Sequence, residues 1–243
     1  MTTRFTRRTL ATAIGAATTL TLAGVSLQAQ AATEVSLGHT LSSNSHYAVG
    51  ARAFKETLEE LSGGAFTVTE HTSGSLGGER EMIEGLQIGT VDIVITSTGP
   101  LGNFVPESYV LDLPFLFEDY DQARCVLDSE LGDELLAKMG DHDLVGLAWS
   151  ENGFRHITNS QRPIRTPADL QGIKLRTMEN RVHMAAFTGM GAAPTPMPLP
   201  ALYDAFANGQ VDGMQIDVEG TWNSKYYDHA GSIVISDHMM FPM

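Results

Sequence analysis

Arg155 and Arg176 are the side chains whose chemistry is most sharply defined by their surroundings. They lie in the strings GFRHI and GIKLRT, apolar and β-prone settings in which a permanent cation needs a partner. A guanidinium offers five N–H donors in a planar fork, and a carboxylate accepts two of them in parallel. Two such groups at strand ends suit a pocket for a small organic acid. The competing reading pairs each arginine with one of the chain's own 29 acidic residues. Four further residues are candidate ligand contacts. Glu79 opens a helix after Ser75-Leu76-Gly77-Gly78, where it either complements the helix dipole or stands as a polar group at a cleft edge. Ser97 follows a buried strand, and ligands of parallel α/β sheets sit beyond the carboxyl ends of strands. Trp149 ends another strand before Arg155, as interdomain packing or as a pocket wall. His39 closes the first strand.

Other chemistries find little support. The eight histidines show no metal-ligand spacing, and no H-E-x-x-H occurs. Gly74-Ser75-Leu76-Gly77 is no nucleophile elbow, because Ser73 stands where G-x-S-x-G requires glycine. Gly189-Met190-Gly191 follows no dinucleotide-binding strand. No pair of carboxylates stands out as an acid/base couple. The reading therefore includes no metal and no cofactor.

The elements that must position these residues alternate between strand and helix. In the first half, residues 34–39 read as a strand and 45–61 as an amphipathic helix carrying Val49, Phe54, Leu58 and Leu61. Residues 65–71 follow as a strand, Glu79–Ile88 as a helix closed by Gly89, and 91–96 (VDIVIT) as a buried parallel strand. Residues 112–117 make a rigid apolar turn. Residues 121–139 read as one long helix with Ala123, Leu127, Leu131, Leu135 and Met139 in register, and 144–149 as a buried strand. Cys125, the only cysteine, is expected in the core of that helix's apolar face. In the second half, strands are expected at 173–176, 210–215 and 232–236. Helices are expected at 183–189, 200–208 and 219–227, and residues 194–198 form a breaker-rich loop. Repeated βα alternation predicts an α/β fold with mostly parallel sheets. It divides into domains 32–150 and 151–243, with the boundary near residues 149–152.

The N-terminus reads as an export signal. Arg4, Arg7 and Arg8 precede an acid-free apolar run at 10–27, and Ala29-Gln30-Ala31 is an A-x-A cleavage pattern. Thr6-Arg7-Arg8-Thr9-Leu10 fits either a twin-arginine or an ordinary signal. Val25 stands where a lipobox needs cysteine, so lipid anchoring at this position is excluded. Residues 1–31 hold three of the 15 basic residues and none of the acidic ones, so without them the net charge of −14 becomes −17. That acidity argues against nucleic acid or an anionic membrane as partner. It also means that an anionic ligand is captured by local positive groups.

GFRHITNS, TPADLQGIKLRTMEN, GAAPTPM, ALYDAFANGQVDG and SLGGEREMIEGLQIGTVDI together resemble the solute-binding proteins of tripartite ATP-independent periplasmic (TRAP) transporters, DctP type. The resemblance implies a two-domain periplasmic binding protein fold, type II-like, with a ligand cleft between the domains. It implies capture of a small organic acid and delivery to the membrane permease subunits. It gives Arg176 the central carboxylate contact and Arg155 an assisting one. The family's V-D-G-Q-E-N reads here Val211-Asp212-Gly213-Met214-Gln215-Ile216, so its ligand-facing asparagine is replaced by Ile216. Gln215 or Asp217 would then take over a hydroxyl or amino contact. Family members continue well past the segment matched by residues 236–242, which leads to the expectation of a truncated chain whose second domain is incomplete and whose apolar tail, 239–243, is uncovered. A ligand-sensing partner of a membrane receptor would use the same pocket. A periplasmic enzyme would need a nucleophile or acid/base pair.

Overall fold

The computed structural model describes residues 31–243. The export-signal features lie outside this range except for Ala31. Residues Ala32–Met243 form one compact unit.

The first sheet is a three-stranded parallel layer. It contains β1 (Thr33–Gly38), β2 (Phe66–His71) and β3 (Ile93–Val94) in the order β2-β1-β3. The crossovers are α1 (His46–Leu61) and α2 (Glu79–Ile88). Ser45 sets the start of α1, its hydroxyl accepting from the Ala48 amide at 3.4 Å. Gly89 ends α2 in the left-handed region at φ 73°. Val35, Leu37, Ala51 and Val68 form the core between this sheet and α1. The strand expected at 91–96 shrinks to two residues. The chain then turns through the short helix α3 (Thr98–Leu101), so Ser97 sits just beyond a strand end.

The helix expected at 121–139 is two helices, α4 (Tyr120–Leu127) and α5 (Glu130–Lys138). The four-residue apolar spacing runs across the break, but Ser129 caps α5 by accepting from Leu131 N at 3.2 Å. A hydroxyl that bonds the local backbone competes with helix continuation. Cys125 is exposed, which corrects its expected burial. It lies two residues from each of the buried Ala123 and Leu127, about 200° around the helix from either. Residues 144–149 pair with no strand. Leu144 is buried with Ile83, Leu101, Val105 and Met139, whereas Val145 and Leu147 are exposed.

The second sheet orders five strands as β6-β5-β7-β4-β8. They are β4 (Glu151–Asn159), β5 (Lys174–Thr177), β6 (Ala193–Pro196), β7 (Gly213–Ile216) and β8 (Ser232–Pro242). Between them lie α6 (Arg181–Gly189), α7 (Leu202–Ala207) and α8 (Val218–Asn223). β5 is parallel to β6 and β7, while β4 is antiparallel to β7 and β8. The sheet is therefore mixed. β7 and β8 flank β4, and β4 fills the slot between them in the opposite direction. β6 replaces the expected loop at 194–198. Its prolines lie opposite Leu175 and Thr177 on an edge strand, where a missing N–H is tolerated. β8 is longer than expected and takes in the apolar tail. Met239, Met240 and Phe241 are almost fully buried against β4, so the expectation of an uncovered tail is corrected.

Candidate functional site

β7 lies between β4 and β5, so the strands carrying Arg155 and Arg176 flank the one carrying Gln215. The register pairs His156 with Ile216 and Ile157 with Gln215, which brings Asp217 opposite Arg155 one step on. Strand alternation separates the β7 side chains. Met214 and Ile216 join the apolar cluster of Leu202, Phe206 and Tyr226. Gln215 and Asp217 turn toward Arg155 instead.

Arg155 is buried, and each of its three nitrogens donates one hydrogen bond. Its Nε donates to Gln215 Oε1 at 3.0 Å, its Nη2 to the Gln215 carbonyl at 3.1 Å, and its Nη1 to Asp217 Oδ2 at 3.0 Å. The Phe241 ring lies 4.7 Å below the guanidinium. Burial lowers the Arg155 pKa, and Asp217 opposes that effect. Asp217 is itself held in place: its Oδ1 caps α8 by accepting from Gly220 N at 2.5 Å. Pairing with the chain's own acid thus describes Arg155.

Arg176 is different. It is 1% exposed, and its Nε and Nη2 both donate to the Met197 carbonyl, at 2.9 and 2.7 Å. Its Nη1 is buried with no acceptor, and no Asp or Glu among the described residues forms an ion pair with it. Burial lowers its pKa to about 10, with Tyr226 and Glu79 opposing and the nearby Arg155 charge adding to the shift. A buried unsatisfied donor costs about 1–3 kcal/mol, more when charged. Gln215 Nε2 is a second buried donor without an acceptor. Two orphan donors of this kind, one of them cationic, are the arrangement that a carboxylate completes.

Across from them stand residues of the first half. Glu79 is buried at the N-terminus of α2. Its Oε1 accepts from Ser97 N at 3.0 Å, Ser97 Oγ at 3.1 Å and Thr96 Oγ1 at 3.2 Å. Ser97 Oγ also lies 3.4 Å from Met178 Sδ, next to the second sheet. Tyr47 is buried near Glu79, Arg155 and Asp217, and burial raises its hydroxyl pKa well above normal. His39 stands behind Tyr47, edge-on at 5.9 Å, with Nε2 2.9 Å from Glu70 Oε1. Trp149 lies apart from this cluster. Its indole N–H donates to the Gly132 carbonyl at 2.9 Å, and its ring packs on the clusters of Phe154 and of Leu144. The sequence reading missed Tyr47 and Tyr226. Tyr47 could have been found from its place on the first turn of a helix that follows a strand end.

Other contacts tie the two halves together. Asn180 Nδ2 donates to the Gly99 carbonyl at 2.8 Å and to Asp112 Oδ2 at 2.7 Å. Asn103 Nδ2 donates to the Glu179 carbonyl at 2.6 Å, and His46 Nδ1 lies 3.1 Å from Glu219 Oε2. A cavity of about 300 Å³ touches the cluster at Asp217, Gly153 and His156, but neither arginine lines it. Both arginines are sealed from solvent.

Arg176 is thus a buried guanidinium with one nitrogen unpartnered and no acidic partner among the described residues. The chain belongs to the bacterial extracellular solute-binding proteins of family 7, DctP, whose family pattern matches residues 37–243. A solute-binding protein from Verminephrobacter eiseniae is 39% identical over 88% of the chain. A TRAP periplasmic solute-binding protein from Polaromonas, solved with D-erythronate, is 47% identical over 86% of the chain, with a TM-score of 0.85. The sugar acid binding protein DctPAm from Advenella mimigardefordensis, solved with galactonate, is 36% identical over 87% of the chain, with a TM-score of 0.84. The chain spans 64% of the Verminephrobacter relative, 69% of the Polaromonas protein and 68% of the Advenella protein.

Proposed function

We propose that this chain is the capture component of a TRAP transporter, which takes up a small organic acid in the periplasm and delivers it to a membrane permease. One observation carries the reading: Arg176 Nη1 is a buried cationic donor with no acceptor. The two sheets would be the cores of two lobes, 32–150 and 151–243, that part to admit the ligand and close on it by a hinge motion. The sealed arginines and the cross-contacts of Asn180, Asn103 and His46 support a closed form. Binding without conversion fits groups that are fixed donors and acceptors. Export with cleavage near Ala31 fits the N-terminal pattern. No helix among the described residues is long and apolar enough to cross a membrane.

The test is calorimetry of the purified protein with D-erythronate and D-galactonate. Loss of a buried charge partner costs about 3–5 kcal/mol, so Arg176→Ala should weaken binding by about two to four decades. Arg176→Lys should recover only part of this, because the planar fork is gone. Wild-type affinity in Arg176→Ala would remove the basis of the proposal.

A further inference from the structure

We propose that Pro198 and Pro200 are positioning residues for Arg176, which they hold and cover by seating on Gly78 and Gly74 of the first half. The inference deepens the reading of Arg176 as the carboxylate anchor and takes its meaning for binding from that reading. Two close approaches define the seat. A Cβ added at Gly74 would lie 2.7 Å from Pro200 Cγ, and one added at Gly78 would lie 3.0 Å from Pro198 Cβ. Carbon atoms in contact stand about 3.5–4.0 Å apart, so each proline ring rests directly on glycine backbone. The glycine loop is pinned from behind. Ser73 N donates to the Leu41 carbonyl at 2.7 Å and Gly74 N to the His39 carbonyl at 3.1 Å. Gly74 lies in the left-handed region at φ 68°, and Gly78 directly precedes Glu79 at the start of α2. The proline side reaches Arg176 through one peptide unit. Met197 and Pro198 share a planar amide, and its carbonyl oxygen accepts from both Arg176 Nε and Nη2, at 2.9 and 2.7 Å. The ring of Pro198 closes on the nitrogen of that amide, so its seat on Gly78 sets the direction of the carbonyl. A contact of glycine with proline also closes at little entropic cost, because neither side chain has rotamers to lose. It can part to admit a ligand and re-form over Arg176, which is 1% exposed while the seat is made.

Chemical labelling of the full chain tests this without a ligand. Phenylglyoxal modifies accessible guanidinia, and peptide mass spectrometry compares Arg176 with Arg80, whose side chain is 49% exposed, in the same sample. Gly74→Ala should raise the relative labelling rate of Arg176 by about fivefold or more, because overpacking of this kind shifts an equilibrium by at least that factor. Pro200→Ala removes the Cγ that the new methyl strikes, while the backbone strain at Gly74 stays the same. In the Pro200→Ala background, Gly74→Ala should therefore change the rate by less than about twofold. A wild-type rate in Gly74→Ala overturns the seat. A rise of equal size in both backgrounds overturns it too, because strain alone then explains the effect. Pro198→Ala is a second variant, free of that strain. It loosens the amide that holds Arg176 and should raise the rate by a similar factor, and a wild-type rate there overturns the positioning role. Urea unfolding of the same variants separates positioning from a merely structural role: a labelling rise that only tracks lost global stability overturns the proposal. Calorimetry of Arg176→Ala tests the anchor separately. Labelling as expected, in a chain whose carboxylate binding survives Arg176→Ala, keeps the positioning and removes the anchor.

Discussion

Asn180 should be among the most costly polar side chains to truncate, because each of its polar atoms makes two bonds. Its Oδ1 accepts from Val182 N at 2.8 Å and His183 N at 3.0 Å and so caps α6. Its Nδ2 donates to the Gly99 carbonyl and to the Asp112 carboxyl. Asp112 is fully buried, and Thr98 Oγ1 holds its other oxygen at 2.7 Å. Loss of a cap costs about 1 kcal/mol, within a range of about 0.5–2. A buried acceptor left without a donor adds about 1–3 kcal/mol. Asn180→Ala should therefore destabilise the fold by about 2–5 kcal/mol, against a total of about 5–15 for a typical protein. Asn180→Asp separates the two contributions. Aspartate keeps the cap but replaces the donor with a second carboxyl beside Asp112, and two carboxyls so close cannot both be charged. The folded pair then holds a proton that the unfolded chain releases, so the penalty grows as pH rises above the unfolded carboxylate range and shrinks as pH falls back toward it. Urea unfolding at pH 7 and pH 5 reads both effects as midpoint changes at constant slope. A loss below about 1 kcal/mol in Asn180→Ala, or an equal loss at both pH values in Asn180→Asp, would refute the reasoning.

Two further predictions concern the second sheet. Burial first, then the charges of Arg155, His156 and His183, push the His238 imidazole down to about 3. Its folded pKa lies below the unfolded value near 6.5, so the unfolded chain gains a proton that the folded chain refuses. Stability from this group is complete above pH 6.5 and falls toward pH 3, by about 3 kcal/mol at pH 4. His238→Gln should flatten the acid side of the stability curve by that amount, and urea titrations from pH 7 to pH 4 with the same slope in both proteins would count against it. Gly213 lies in β7 where an added Cβ would sit 2.5 Å from the Thr158 carbonyl oxygen and 2.6 Å from Asn159 Cβ. The nearest obstruction is backbone, so Gly213→Ala should cost at least about 2 kcal/mol and lower Tm by about 4–8 °C. An unchanged melting curve would show that the strands can part.

Much of the first half was legible because its signals are local. The limits of α2 follow from the glycines on either side, and α1 starts where Ser45 provides a cap. Failures occurred where a periodic pattern outlasted the element. The spacing from Ala123 to Met139 is helical throughout, yet Ser129 supplies a competing local bond and divides it. VDIVIT reads as a strand, but its pairing with β1 covers only Ile93 and Val94 and ends at the bond from Ile95 N to the Gly38 carbonyl. In the second half, the pairing partner overrode the composition. Two prolines would stop an interior strand, and β6 tolerates them because it is an edge. The tail at 239–242 looked like surface awaiting a cover, and its cover is β4, a partner distant in sequence that no local pattern reveals.

The site divides in the same way. Both arginines stood out because a permanent charge in an apolar string demands an explanation, but their different roles were not legible. The decisive fact is that Asp217 falls opposite Arg155 while nothing acidic pairs with Arg176, and that depends on β7 entering between β4 and β5 in one register. A slip of one residue would turn Gln215 and Asp217 into the apolar cluster and bring Met214 and Ile216 to Arg155. Gly213 helps to set that register, since only a residue without a Cβ lets β7 lie so close to Thr158 and Asn159. The glycine of Val211-Asp212-Gly213 therefore shapes the proposed site only through the register of β7. It holds in place the strand that neutralises one arginine and leaves the other unpaired.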